Sequence, residues 1–352
     1  MNFSDQKLGF VEYLLALTDD TGIFQHSVYG VPDPREGYTT DDNSRALILA
    51  VMLLESFKEK IFLRLVSKYL AFLLNAQNED GRFKNFMNYK RGFVESEGSE
   101  DCFGRCMWAL GRTISSVSVP ENMKRTCGHI LNKSLENWPE LNSPRAKAYC
   151  IIGLSYLNGT DEIISHIDAL SMELVSQYEQ FKDKDWYWFE NSMTYGNAVL
   201  PWSLLKAYKI LKKDVLLETA RESMDFLGDI TFKNGYFKPV GCNGWLQKGQ
   251  KAAEYDEQPI EACETLLLYL NYYEITKEKK YLDHAVKCFC WYTGKNSKSL
   301  ALIDEETGAC HDGLTENGLN YNQGSESIVS YGIALMEINK QIRTDEHYAS
   351  KR

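Results

Sequence analysis

Residues 39–54 read TTDDNSRALILAVMLL. A polar cluster opens the stretch and runs straight into residues that are apolar on nearly every side. Threonine followed by acids caps a helix start, and the acids favour the positive end of its dipole. A helix that is apolar around most of its circumference is buried. The same design returns at 98–111 (GSEDCFGRCMWALG) and 322–335 (NQGSESIVSYGIAL). Between such segments lie amphipathic ones, such as 58–74 (KEKIFLRLVSKYLAFLL) and 280–293 (KYLDHAVKCFCWYT).

Extended over the whole chain, helical spacing predicts twelve helices. They fall at 5–18, 42–57, 59–77, 101–116, 121–136, 143–157, 161–180, 195–211, 214–228, 257–275, 278–294 and 324–341. Segments 232–239 and 300–303 read as short hairpin strands in loops. The buried set is 42–57, 101–116, 143–157, 195–211, 257–275 and 324–341, and the amphipathic set covers it. Links from a buried helix to the next amphipathic one are short, while five of the six return links are long. Loops beyond about 12–15 residues are commonly functional. Here they gather at the end where the buried helices begin. The expected fold is all-α: one (α/α)6 toroid of six hairpins over 1–342, with a flexible tail at 343–352. Helix 5–18 closes the ring against 324–341. An open superhelix of repeats fits less well, because no strict sequence period recurs.

The 352 residues carry a net charge of -10. Phosphate backbones and polybasic membrane attachment both ask for a basic face, so neither nucleic acid nor membrane is an expected partner. No apolar run is long enough to span a bilayer, and residues 1–20 lack the pattern of a secretory leader. Nine cysteines, mostly in helical patterns, read as reduced thiols of a cytoplasmic protein. Cys288 and Cys290 have no second pair at ligand spacing, so no metal is expected. No phosphate-loop, dinucleotide, nucleophile-elbow or zinc-protease motif is present, and no cofactor is expected.

Five blocks carry chemistry. In GYTTDDNSR (37–45), Asp41 and Asp42 point about 100° apart on the helix, and Arg45 lies one turn on. In ESEGSEDCFGR (95–105), Glu100 and Asp101 repeat that start, with Arg105 following. WYWFENSMTYGNAVLP (186–201) brings Trp186, Trp188, Glu190, Tyr195 and Asn197. GCNGWLQKGQKAAEYDEQPIE (241–261) brings Trp245, Asp256, Gln258 and Glu261. HDGLTENGLNYNQGSE (311–326) brings His311, Asp312, Tyr321, Asn322, Gln323 and Glu326. Each block also has a structural reading, since first-turn acids stabilise helices and aromatic runs fill cores. As a set, aromatic faces suit sugar C–H surfaces, and amides and carboxylates suit hydroxyl pairs. His26 and His311 are the histidines placed in the long loops.

Together, GYTTDDNSRALI, GSEDCFGRCMWALG, WYWFENSMTYGNAVLP, YDEQPIEA and DGLTENGLNYNQGSES resemble a family of six-hairpin glycosidase-like domains. Members are often fused to, or found beside, nucleotide-sugar glycosyltransferase domains. The likeness covers about residues 19–340. It implies the (α/α)6 fold, a carbohydrate role and a glycosyltransferase as a partner. The chain departs from that pattern at Thr39, where relatives often have cysteine, at Phe103, where they have histidine, and at Gly196, where they have aspartate.

The expected activity is glycoside hydrolysis of an oligosaccharide or polysaccharide fragment by two carboxylates. The catalytic residues are drawn from Asp42, Asp101, Glu261 and Glu326, with Glu261 or Glu326 as acid and Asp42 or Asp101 activating water. His26, Asp41, Arg45, Glu100, Arg105, Glu190, Asn197, Asp256, Gln258, His311, Asp312, Asn322 and Gln323 bind the substrate. Trp186, Trp188, Tyr195, Trp245 and Tyr321 also contact it, the tryptophans and Tyr321 as stacking walls. The alternatives are a sugar epimerase or phosphorylase on the same fold, and a non-catalytic glycan-binding partner of a glycosyltransferase.

Overall fold

A computed structural model of the chain describes the backbone of residues 6–157 and 159–349, and the side-chain surroundings of 9–157 and 159–342. The helices are α1 (Gln6–Ala16), α2 (Thr40–Phe57), α3 (Lys60–Ala76), α4 (Glu100–Ser115), α5 (Glu121–Glu136) and α6 (Pro144–Leu154). They continue as α7 (Asp161–Phe181), α8 (Val199–Leu211), α9 (Asp214–Thr231), α10 (Pro259–Thr276), α11 (Lys279–Tyr292) and α12 (Ser325–Ala349). The even-numbered helices form the inner ring. Each packs on the next, and α12 returns to α2. The odd-numbered helices cover them, with α1 against α12. The architecture is the expected (α/α)6 toroid.

Local chemistry explains the helix ends. Thr39, Ser99, Ser143 and Thr160 each accept the backbone N–H three residues on, capping α2, α4, α6 and α7. Lys58, Lys212 and Lys277 adopt the left-handed conformation after α2, α8 and α10, with φ of 55°, 56° and 61°. Each returns its N–H to the carbonyl four residues back, so the chain reverses within two residues. That is why one end of the toroid carries tight turns and the other carries the long loops.

Four two-stranded ribbons stitch the long loops into a collar. Strand β1 (Ser27–Val28) pairs with β2 (Val31–Pro32), and β3 (Tyr38–Thr39) with β4 (Phe86–Met87). Strand β5 (Ser192–Met193) pairs with β6 (Leu246–Gln247), and β7 (Gly313–Thr315) with β8 (Gly318–Asn320). Three expectations change. Segment 232–239 contains no strand, and 300–303 contributes only isolated bridges at Ala301 and Ile303. Helix α8 begins four residues later than its apolar pattern suggested, because Gly196 takes φ +55° and turns the chain first. The expected tail at 343–352 lies outside the residues whose side chains are described, although the α12 backbone runs to Ala349. Among the described residues, no helix is long and apolar enough to cross a membrane.

Inner helices α4 and α6 meet backbone to backbone. A Cβ on Gly111 would stand 2.0 Å from the carbonyl oxygen of Gly153, and one on Gly153 would stand 2.4 Å from that of Met107. Neither helix can withdraw without opening the ring. Gly111→Val therefore lowers stability by about 3 kcal/mol or more. Thermal unfolding tests this, and an unchanged midpoint would show that the crossing is looser than described.

Candidate functional site

The first turns of the inner helices point into the collar and are linked by buried charge. Arg45 of α2 donates to Asp42 at 2.9 Å, to Asp41 at 3.2 Å and to Glu326 of α12 at 2.8 Å. Arg105 of α4 donates to both oxygens of Asp41, at 2.8 and 2.6 Å. Tyr149 of α6 lies beside Arg105 at 3.4 Å and donates to Glu264 of α10 at 2.6 Å. One chain of polar contacts thus crosses five of the six inner helices.

Burial and partners set the charges along it. Burial opposes ionisation of Asp41, but Arg105 and Arg45 hold its pKa below the usual carboxylate range. Burial opposes the charge on Arg45 as well, and Asp41 and Glu326 outweigh it, raising the guanidinium pKa further. Asp42 goes the other way: desolvation raises its pKa despite Arg45. Thr39 donates to the second Asp42 oxygen at 2.6 Å, so both oxygens of this acid are occupied.

A cleft of about 330 Å³ opens beside this network, between α2 and α12. His26, Asp41, Asp42, Arg45, Gln258, Asp312 and Glu326 line it, all of them anticipated from sequence. Asp312 accepts at one oxygen from the Gly324 N–H (2.7 Å) and Ser327 Oγ (2.6 Å). Its other oxygen has no hydrogen-bond partner among the described residues. Burial raises the Asp312 pKa, opposed by the Ser327 and Gly324 bonds. Glu326 is the open member: its side chain is 38% exposed, and only one oxygen is held by Arg45. Sequence reading missed Gln25, Asn85 and Phe86, which also line the cleft. Their signal was weak, because none falls within the five blocks that carry chemistry in the sequence.

Other anticipated residues serve the framework. Glu100 accepts from the Asn142 and Ser143 N–H groups at the start of α6. Asp101 accepts from Ser143 Oγ and Tyr195 OH, at 2.6 and 2.5 Å. Glu261 is buried on the Gly196 N–H and on Asn197, whose Nδ2 lies 3.1 Å away. Burial raises its pKa, and those two donors oppose the rise. Glu190 pairs with Arg145 at 2.8 Å. Trp186 and Trp188 are 5% and 0% exposed. They pack on Phe189 and Phe226 in the core, so neither is a stacking wall. His311 is buried beside Gln323 and outside the cleft. Tyr195, Trp245, Asp256, Tyr321 and Asn322 remain accessible around the collar, with the Tyr195 and Trp245 rings 6.4 Å apart.

Sequence reading also passed over Glu264. It follows Glu261 at i+3 on an apolar helix, a spacing that places both acids on the inward face. Burial, together with the Glu261 charge, pushes its pKa up to about 8. Its Oε2 has no hydrogen-bond partner. A Cβ at Gly196 would stand 3.4 Å from this oxygen, so an aspartate there would crowd it with a second carboxylate.

No protein-family model and no curated sequence matches the chain. Solved structures do. The fold is shared. A sugar epimerase from a ruminal bacterium superposes with a TM-score of 0.75 at 13% identity, covering 96% of this chain and 97% of its own. A D-mannose isomerase gives 0.73 at 13% identity, covering 96% and 97%. A glycoside hydrolase family 76 α-mannanase from Bacteroides thetaiotaomicron gives 0.68 at 12% identity, covering 98% of both chains.

Glu264 makes a pH prediction with a definite sign. Its folded pKa lies above its unfolded one, so between about pH 4.5 and 8 the folded state keeps a proton that the unfolded state loses. Its contribution therefore erodes as pH rises through that window. Glu264→Gln should stabilise the protein relative to wild type at pH 9, by on the order of a few kcal/mol, with the difference shrinking towards pH 4.5. Thermal melts across pH test this, and a difference independent of pH would remove the proton from Glu264.

Proposed function

We propose that the protein is a carbohydrate-active enzyme, and that the α2–α12 cleft hydrolyses a glycosidic bond. The observation that carries this reading is the convergence of Asp312 and Glu326 on one cleft in opposite surroundings. Glycosidases commonly need one carboxyl that keeps its proton and a second that acts as base or nucleophile. Asp312, with its raised pKa and one unpartnered oxygen, is the acid. Glu326, more open and ion-paired with Arg45, activates water or attacks the anomeric carbon. Asp42 is displaced from the role of base, because Thr39 and Arg45 occupy both its oxygens. It positions Arg45 instead. Glu261 and Asp101 act through the framework.

The rest of the lining suits sugar. Gln25 and Gln258 offer amides that donate and accept at once, which is what hydroxyl pairs require, while Asn85 and Asn320, whose oxygens accept from the Asp41 and Asn322 N–H groups, offer donors. Phe86 lines the cleft, and Phe86 and Tyr321 present exposed rings, Tyr321 at 61%. The printed names of similar structures, which include a mannanase and sugar epimerases, support a carbohydrate substrate class. A second reading, sugar epimerisation, is favoured by His26, the histidine that lines the cleft with Asp312.

The test is incubation with α- and β-linked oligosaccharides, followed by mass spectrometry and proton NMR of the products. Wild type should release a shorter sugar. Glu326→Gln and Asp312→Asn should each lower kcat/KM by about 100-fold or more while remaining folded. Asp101→Asn should cost under about tenfold. An epimerised product of unchanged mass would favour the second reading, and full activity in Asp312→Asn would remove the proposed acid.

A further inference from the structure

The opposite end of the toroid, where the inner helices finish, also opens inward. A cavity of about 1410 Å³ lies there. Its apolar walls include Ile48, Met52, Leu267 and Ile333 from three inner helices, α2, α10 and α12. Trp108 and Trp202 line it as well, edge to face with ring centroids 5.3 Å apart. Both indole rings are buried, and both indole N–H groups lack a hydrogen-bond partner. Ligand pockets are commonly about 300–1,000 Å³, so this hollow has room to spare.

The charge at its rim is opposite to that of the chain. The rim includes Arg112, Lys206, Lys209, Lys277 and Lys279, on a protein of net charge -10. Arg112 is answered by Glu55 and Lys209 by Glu274. Lys206 lies 4.6 Å from the centroid of the Tyr156 ring, and no carboxylate lies within ion-pair distance of Lys206, Lys277 or Lys279 among the described residues. Cations at helix C-termini offset the dipole, which accounts for lysines at this end. It does not account for an apolar hollow beneath them, which would otherwise hold water against carbon walls.

We propose that this basal cavity binds an amphipathic organic anion, with an apolar chain along Ile48, Met52 and the two tryptophans. A phosphate or carboxylate head would sit at Lys206, Lys277 and Lys279. The site is separate from the collar cleft and does not depend on the reading of that cleft.

Calorimetric titration of the full chain with dodecyl phosphate and with laurate, below their micelle concentrations, tests the proposal. At least one should bind with 1:1 stoichiometry, and their ratio identifies the preferred head. Hexaethylene glycol monododecyl ether, which keeps the chain and lacks the charge, should bind at least tenfold more weakly, and so should inorganic phosphate. Lys206→Gln with Lys277→Gln should weaken the anion at least tenfold. Lys90→Gln with Lys184→Gln, an equal charge change on a distant surface, should leave binding unchanged. The proposal is overturned if neither anion saturates, if the neutral ether binds as tightly, or if the Lys206/Lys277 double variant binds like wild type. Should that variant fail to fold, the comparison of anion with ether on wild type decides alone.

Discussion

Six helix N-termini facing one mouth is the constraint on which the rest of the structure depends. Each brings the positive end of a dipole and several unpaired N–H groups into a shared space. First-turn acids answer that charge: Asp41 and Asp42 on α2, Glu100 and Asp101 on α4, Glu261 on α10 and Glu326 on α12. So many buried carboxylates repel one another, and Arg45 and Arg105 are drawn in to answer them, while Arg145 pairs with the loop acid Glu190. The result is a polar hub inside an apolar ring. Removing one partner would leave its neighbours charged and unpaired, which is costly in a buried setting.

The hub also decides what remains for chemistry. Most of its acids have both oxygens engaged, by an arginine, a hydroxyl or a helix start. Glu264, Asp312 and Glu326 each keep an oxygen uncommitted, and of these Asp312 and Glu326 line the cleft. They reach the cleft by different routes, Asp312 from the loop before α12 and Glu326 from its first turn. Ser327, the residue after Glu326, donates to Asp312 and ties the two routes together. Two carboxyls of similar intrinsic acidity thereby acquire different surroundings, the usual means by which one fold runs acid and base chemistry at one pH.

Much of this was legible in the chain. The alternation of all-round apolar and amphipathic segments expressed the ring, and the loop lengths expressed its two unequal ends. The spacing of Asp41 and Asp42 from Arg45 expressed an ion pair one turn long, because helices bring i and i+4 together. Less legible was what depends on neighbours distant in sequence. Trp186 and Trp188 have the composition of a sugar platform, but Phe226, nearly 40 positions away, covers them. Glu264 looked like one more charge on a helix until α6 and α8 closed over it. Asp312 resembled other loop acids, since its worth comes from Gly324 and Ser327. The basal cavity had no motif at all, being a space bounded by helices distant in sequence.

The most direct test is a crystal structure of Glu326→Gln with the oligosaccharide that wild type cleaves. The account predicts sugar in the α2–α12 cleft, with the glycosidic oxygen within about 3 Å of Asp312 and the anomeric carbon facing position 326. Sugar bound elsewhere on the collar, or with its anomeric carbon remote from Asp312 and position 326, would contradict it.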